Sequence, residues 1–341
     1  MSDAVLIKEQ AISGARFNAD DTVSDYGDWL LEYHAIRRKA GLLTLPHLGY
    51  LSAFGRDAVP FLHNLLSNDL WPLSNGAPYV HACALNSTGH LLADITVVAH
   101  PDHLLLVVPL SRLSKIQQYL NDFLITEDVE IGDESDNWTI ISVQGPLSKQ
   151  VITELNDLSA VQAFPMDRTG SGGTDLLVAS DRAAELWRAL TKVGIQSVGC
   201  KAYHALRIEA GIPLYGLDMD ESILPIEAGL GETHISYKKG CYIGQEVIAR
   251  IRARGHTNRA ITVLSIEGDR APEHRDPIIA AATTDHPVGW VTSVSESPIL
   301  NSLIALGYVR HENRTNGNHL FIKSKGVSIG ATIIEAPVRR C

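Results

Sequence analysis

Three side chains in this sequence stand where their surroundings allow chemistry. Cys241 lies in "KKGCYIGQE" (238–246), between Gly240 and Gly244 and just after Lys238 and Lys239. Glycines leave the backbone thinly covered, and neighbouring ammonium groups favour the thiolate, which is the nucleophilic form of cysteine. A plainer role stays open beside that one, because a free cysteine is also a common small apolar filler of cores. Asp94 sits inside the apolar run "LLADITVV", where an alternating strand either turns the carboxyl to solvent or buries it against something polar. Glu209 in "ALRIEAGI" poses the same question on a helix beside Leu206, Ile208 and Ile212, with Arg207 as an adjacent cation.

Other stretches look chemical and fail on inspection. "DMDESILPIE" (218–227) opens like a calcium loop, but its sixth position is Ile223 instead of glycine and its twelfth is Gly229 instead of glutamate. A solvated acidic loop is the expectation there. "RTGSGGTD" (168–175) lacks the Gly-x-Gly-x-x-Gly spacing that cradles a pyrophosphate and reads as a turn. No Walker A loop occurs, so the commonest NTPase reading loses its support. Arg250, Arg252, Arg254 and Arg259 follow the apolar-periodic "QEVIARI" and complement the negative end of a helix dipole, or hold an anionic tail.

Composition bounds the rest. With 341 residues, 45% hydrophobic and 20% charged, the chain is a globular protein of two or three domains. Its net charge of −10 disfavours nucleic acid and anionic lipid as partners. The four cysteines form no Cys-x-x-Cys pair, no metal set is spaced along the chain, and no apolar run approaches the ~20 residues needed to span a bilayer. A cytoplasmic protein with reduced thiols and no membrane partner is expected.

These residues must be positioned by elements that the hydrophobic period discloses. "YLSAFG" alternates like a strand, and a helix carrying Val59, Leu62, Leu65 and Leu66 follows behind a cap at Asp57. "YVHACALN", "LLADITVVAH" and "LLLVVP" read as strands joined by short turns. A second helix starts at Ser111 with Leu113, Ile116, Leu120, Phe123 and Leu124 as its apolar stripe, and "DVEIGD" returns as a strand. That β-α-β-β-α-β order with an additional strand makes 48–133 a ferredoxin-like module. Mixed α and β continues to about 250, with Gly194 and Gly211 as helix stops, and short strands beyond Asn258 read as a β barrel.

Taken together, these stretches resemble the YgfZ/GcvT superfamily over nearly the whole chain. "KGCYIGQE" matches the signature of the YgfZ branch at eight consecutive positions, while "LNSTGHLLADITVV" and "LRIEAGIPLYGLDMDESILPIEAGL" resemble two further superfamily blocks. The resemblance implies an α+β, three-domain fold around a central channel. Residues 1–47 and 134–250 would form a discontinuous folate-binding domain, 48–133 the insert, and 258–341 the carboxy-terminal barrel.

It also implies a ligand, tetrahydrofolate. Asp94 matches the aspartate beside the reactive folate nitrogens, where it could move a proton or stabilise a developing cation, and Glu209 matches the glutamate that meets the pterin. Lys239, Tyr242 and Gln245 of the signature would complete the binding set, with Asp94 and Cys241 as the catalytic pair. The function implied is support of iron-sulfur enzyme assembly or repair, with iron-sulfur client enzymes as partners. The alternative is a tetrahydrofolate-dependent one-carbon transferase, an aminomethyltransferase or a demethylase, and a non-catalytic folate sensor is a third reading. His81, Pro109, Ser171 and Gln245 depart from the aminomethyltransferase pattern, which carries Tyr, Asn, Tyr and Arg there. Those departures argue against transfer from a lipoyl carrier.

Overall fold

The computed structural model describes residues 2–155, 161–283 and 286–338. Cys341 lies outside them. The fold is of the α+β class and contains two five-stranded sheets and a closed six-stranded barrel. The first sheet runs Val161–Pro165, Gly173–Ala179, Trp138–Gln144, Gly41–Thr44 and Gln196–Ser197 in spatial order. The second runs Tyr79–Leu85, Leu91–Ala99, Leu104–Pro109, Leu48–Phe54 and Glu130–Asp133. Strands between Arg259 and Ile334 close the barrel.

Each strand of the second sheet alternates because its two faces meet different neighbours. Ala93, Ile95 and Val97 pack with Phe61, Leu62, Ile116 and Leu120 of the covering helices. Val98, Leu105, Val107 and Tyr50 point the other way and pack with Ile140, Phe164 and Leu177 of the first sheet. The two sheets therefore face each other, and that shared face contains the candidate site.

The helix Cys200–Glu209 lies between the first sheet and the barrel and ties them with buried polar contacts. Arg207 pairs with Asp218 and donates to Ser293 Oγ at 2.7 Å, and Thr292 of the same barrel strand donates to Asp218. Glu209 is met by Ser297 Oγ at 2.6 Å. Ridges of Ala202, Ala205 and Leu206 close the other side against Tyr33 and Ile36 of the helix Trp29–Arg38.

Four local expectations change. Asp57 does not cap its helix; its Oδ2 instead accepts from the Asp128 backbone at 2.9 Å, pinning the last strand's approach. The second helix begins at Leu113 after a 3-10 turn over Leu110–Arg112, and Phe123 is exposed at its end instead of continuing the stripe. The stretch 218–227 is no solvated loop, for Asp218 and Glu227 are buried on Arg207 and Arg259. Among the described residues no helix is long and apolar enough to cross a membrane.

Candidate functional site

Strand register places Asp94. On the strand Leu91–Ala99 it is two and four residues from Thr96 and Val98, so all three point into the gap between the sheets. Its cross-strand partners carry the same face outward: Cys83 stands opposite Asp94, and His81 opposite Thr96. His81 Nδ1 lies 3.0 Å from Thr96 Oγ1 and its ring stacks on His234 at 4.8 Å.

The opposing wall is polar at the matching level. Asp175 is two residues before Leu177 on its strand and pairs with Ser142 and Phe164, so it faces the same gap. Arg168 grips it, with Nε at 3.2 and 3.0 Å from the two carboxylate oxygens and Nη2 at 2.6 Å. Ser142 Oγ donates to Asp175 at 2.6 Å, and Gln144 Nε2 donates to Ser142 at 2.8 Å.

Asp94 is the exception to this pairing. Its Oδ1 is buried with no hydrogen-bond partner. Burial raises its pKa, and the Arg168 charge across the gap opposes that rise without forming a bond. A carboxyl in this state holds a proton more readily than an ordinary aspartate, as proton transfer near neutral pH requires. Cys83, its neighbour, is buried completely and its thiol is pushed up by that burial, so it stays a protonated filler.

A cavity of about 500 Å³ has Thr44, His47, Tyr203, His204, Tyr215 and Cys200 among its lining residues. Tyr203 and Tyr215 both lie close enough to Asp94 for its charge to act on their hydroxyls. Neutral imidazoles dominate the walls: burial lowers His47, His81 and His204 to about 4 and His234 to about 3. A volume of this size suits a drug-sized planar ligand. A reduced pterin fits the donor set, since its edge N–H groups need a carboxylate acceptor, which Asp94 has open, and its flat ring suits tyrosine and histidine walls.

The other expected ligand contacts are engaged inside the protein. Both oxygens of Glu209 are taken: Oε2 accepts from Tyr33 Oη at 2.7 Å and from Arg37, while Oε1 accepts from Ser297. Glu209 is therefore a fully buried tie between two helices and the barrel. Lys239 inserts its ammonium among the backbone carbonyls of His63, Leu66 and Asn68, closing the end of the helix Ala58–Leu65. Gln245 reaches back to the Gly240 carbonyl at 3.3 Å. Tyr242 is buried in the cluster of Cys83, Leu85 and Leu91.

Cys241 is exposed and free. Its loop is fixed at both ends, by Lys239 on one side and by Gly244 on the other, where φ is +81° and an added Cβ would lie 2.7 Å from the Asn86 carbonyl. Only glycine fits that approach. Arg168 and Asp175 escaped the sequence reading because they flank what looked like a turn.

Comparison with known proteins matches this architecture. Residues 17–239 match the model for the GCVT N-terminal domain, and residues 259–338 match the glycine cleavage T-protein C-terminal barrel domain. An aminomethyltransferase of Thermoanaerobacter pseudethanolicus is 30% identical over 92% of this chain and 92% of its own length. One from Halothermothrix orenii is 28% identical, again over 92% of each chain. The crystal structure of glycine cleavage system aminomethyltransferase T from Bartonella henselae superposes with a TM-score of 0.85 at 21% identity, covering 98% of both chains, which establishes the shared fold.

Two outcomes are expected. Glu209→Ala removes one partner of a buried pair and should lower unfolding free energy by about 3–5 kcal/mol in urea titration; a midpoint shift near zero refutes the structural role. His81 and His234 are held neutral when folded but titrate near pH 6.5 once unfolded. The unfolded chain therefore binds protons that the folded one refuses between pH 6.5 and about 4, so stability falls as pH falls through that window. From pH 6.5 to 5 each imidazole contributes up to about 2 kcal/mol of loss. The double variant His81→Gln, His234→Gln should show the shallower decline, and parallel declines exclude the pair as its source.

Proposed function

The chain belongs to the glycine cleavage T-protein family, and from that membership we propose that it binds a reduced folate in the gap between its sheets and supports one-carbon transfer there. The observation that carries this is Asp94: a carboxyl with a buried, unpartnered oxygen, near Tyr203 and Tyr215, which line a cavity of about 500 Å³. Tetrahydrofolate supplies nitrogens able to accept a one-carbon unit. The protein's part is to hold that ligand between Tyr203, Tyr215 and His47, exclude water, and hold or release a proton at an Asp94 oxygen. Relatives named aminomethyltransferase favour the transferase alternative over a purely adaptor role.

A second reading places the chain in the YgfZ branch, in support of iron-sulfur enzymes. The observation in its favour is Cys241, exposed at the crest of a loop anchored by Lys239 and Gly244, where a partner protein can reach it. The residues His81, Pro109, Ser171 and Gln245 add support, since each replaces a residue of the aminomethyltransferase pattern. His81 is engaged with Thr96 and His234, so its side chain works in the wall of the gap.

Calorimetric titration with tetrahydrofolate, followed by single-turnover transfer from a one-carbon donor, tests the first reading. The native chain should bind, and Asp94→Asn should slow transfer by about 100-fold or more while the fold is kept. Absence of binding, or transfer at the native rate in the variant, removes it. Cys241→Ala should leave folate binding and transfer unchanged; a fall in cellular iron-sulfur enzyme activity in that variant supports the second reading, and unchanged activity rejects it.

A further inference from the structure

The start of the helix Trp29–Arg38 and the barrel enclose a cleft of about 430 Å³, and neither Asp94 nor any residue of the 238–246 loop lines it. Trp29, Leu30 and Leu303 form its apolar wall. Leu30 keeps 43% of its surface open, and Leu31, next along the helix, keeps 63%. The charged residues of the lining are Asp269 and Glu296, both exposed, and neither is in an ion pair among the described residues. Arg270, which follows Asp269, is exposed and outside the lining. The positive end of the helix dipole does not offset these charges, because Asp28 already caps it, accepting from Leu30 at 3.0 Å and Leu31 at 3.3 Å. Ser302 Oγ, in the same lining, is buried and has no hydrogen-bond partner.

These features restrict the occupant. An anion is repelled by both carboxylates, and a purely apolar partner would take them out of water unpaired. A second copy of this chain carries the same net charge of −10 and meets an acidic cleft unfavourably. A bare metal ion lacks ligands, since no group of three His, Cys, Asp or Glu side chains is placed to hold one among the described residues. What fits is a segment that brings ammonium or guanidinium groups to Asp269 and Glu296 and large apolar side chains to Leu30 and Trp29. The molecule already makes one such contact within itself, with Lys201 Nζ 4.6 Å from the centre of the Trp29 ring. The floor is rigid, because Ser297 of the lining donates to the buried Glu209 at 2.6 Å.

We propose that the cleft between the helix Trp29–Arg38 and the barrel docks a segment of a partner protein in which lysine or arginine alternates with large apolar residues. The cations meet Asp269 and Glu296, the apolar side chains cover Leu30 and Leu31, and an N–H of the segment reaches Ser302 Oγ. Exposed apolar side chains beside a cleft mark such contact surfaces. The proposal is independent of the folate reading.

Calorimetric titration of the full chain with a short capped peptide of alternating lysine and leucine tests it. Two control peptides replace the lysines by glutamate or the leucines by serine. The lysine–leucine peptide should saturate the native chain and each control should bind about 10-fold more weakly or not at all. The double variant Asp269→Asn, Glu296→Gln should weaken binding of the lysine–leucine peptide by about 10-fold, within the range for two exposed ion pairs, and should lose most of its salt dependence. Leu30→Ser should weaken it by about the same factor. All three side chains are exposed, and circular dichroism with thermal melting confirms that the variants fold. Absence of binding, or equal binding by native chain and variants, overturns the proposal. Equal binding of the lysine–serine peptide reduces the effect to attraction of any polycation by an acidic protein and overturns it as well. Self-association in sedimentation that Leu30→Ser abolishes assigns the cleft to a second copy of the chain and replaces the proposed occupant.

Discussion

A carboxylate taken out of water must find a partner, and that constraint organises this molecule. Glu209, Asp218, Asp175 and Glu227 are all buried, and each is met by arginine: Arg37, Arg207, Arg168 and Arg259. None of these pairs is weakened by exposure to salt or solvent on both sides, since at least one member is buried in every case. Such pairs add little net stability compared with apolar packing, but they are costly to break singly. Their value here is geometric, because each crosses a boundary: helix to helix, helix to acidic stretch, loop to sheet, or acidic stretch to the Arg259 strand. Asp94 has no arginine bonded to it, and the remaining architecture surrounds that exception.

The consequence is a division between structure and chemistry within the family's conserved-looking stretches. The 238–246 segment, whose composition suggests a reactive site, is largely a clasp. Lys239 caps a helix end, Gly244 allows backbone to touch backbone, and Gln245 braces the turn. What the clasp achieves is rigidity around an exposed thiol, and its buried Tyr242 packs behind Cys83, which stands opposite Asp94. One loop thus stiffens the external and internal features together.

Much of the fold was legible because apolar period and turn chemistry are local. Strands such as Leu91–Ala99 and helices such as Ala183–Lys192 announce themselves within ten residues, and Gly194 and Gly211 adopt the positive φ that ends a helix. Asp94 was legible for the same reason, as one polar residue breaking an apolar strand. Partner identity was not. Glu209 meets Arg37 across 172 positions and Ser297 across 88, so no local pattern could tell an available carboxylate from an engaged one. Lys239 finds its carbonyls more than 170 positions away. Arg168 and Asp175 are only seven apart, but the glycines between them signalled a turn, and a hairpin that returns an aspartate to its own arginine looks polar and solvated when read in one dimension.

The unpaired state of Asp94 is itself informative about what the fold tolerates. Ser142, Gln144 and Asp175 could have released Arg168 toward Asp94, which would have satisfied both charges and closed the gap between the sheets. Instead three successive hydrogen bonds hold the guanidinium back on its own sheet. A protein that maintains a buried, unsatisfied acceptor against an available cation bears a destabilisation that packing elsewhere must offset. The apolar cluster of Val98, Leu105, Val107, Ile140, Phe164 and Leu177 supplies that support, packing the two sheets face to face. Strand register, which sets Asp94 on the same face as Val98, is what holds that carboxyl between the sheets.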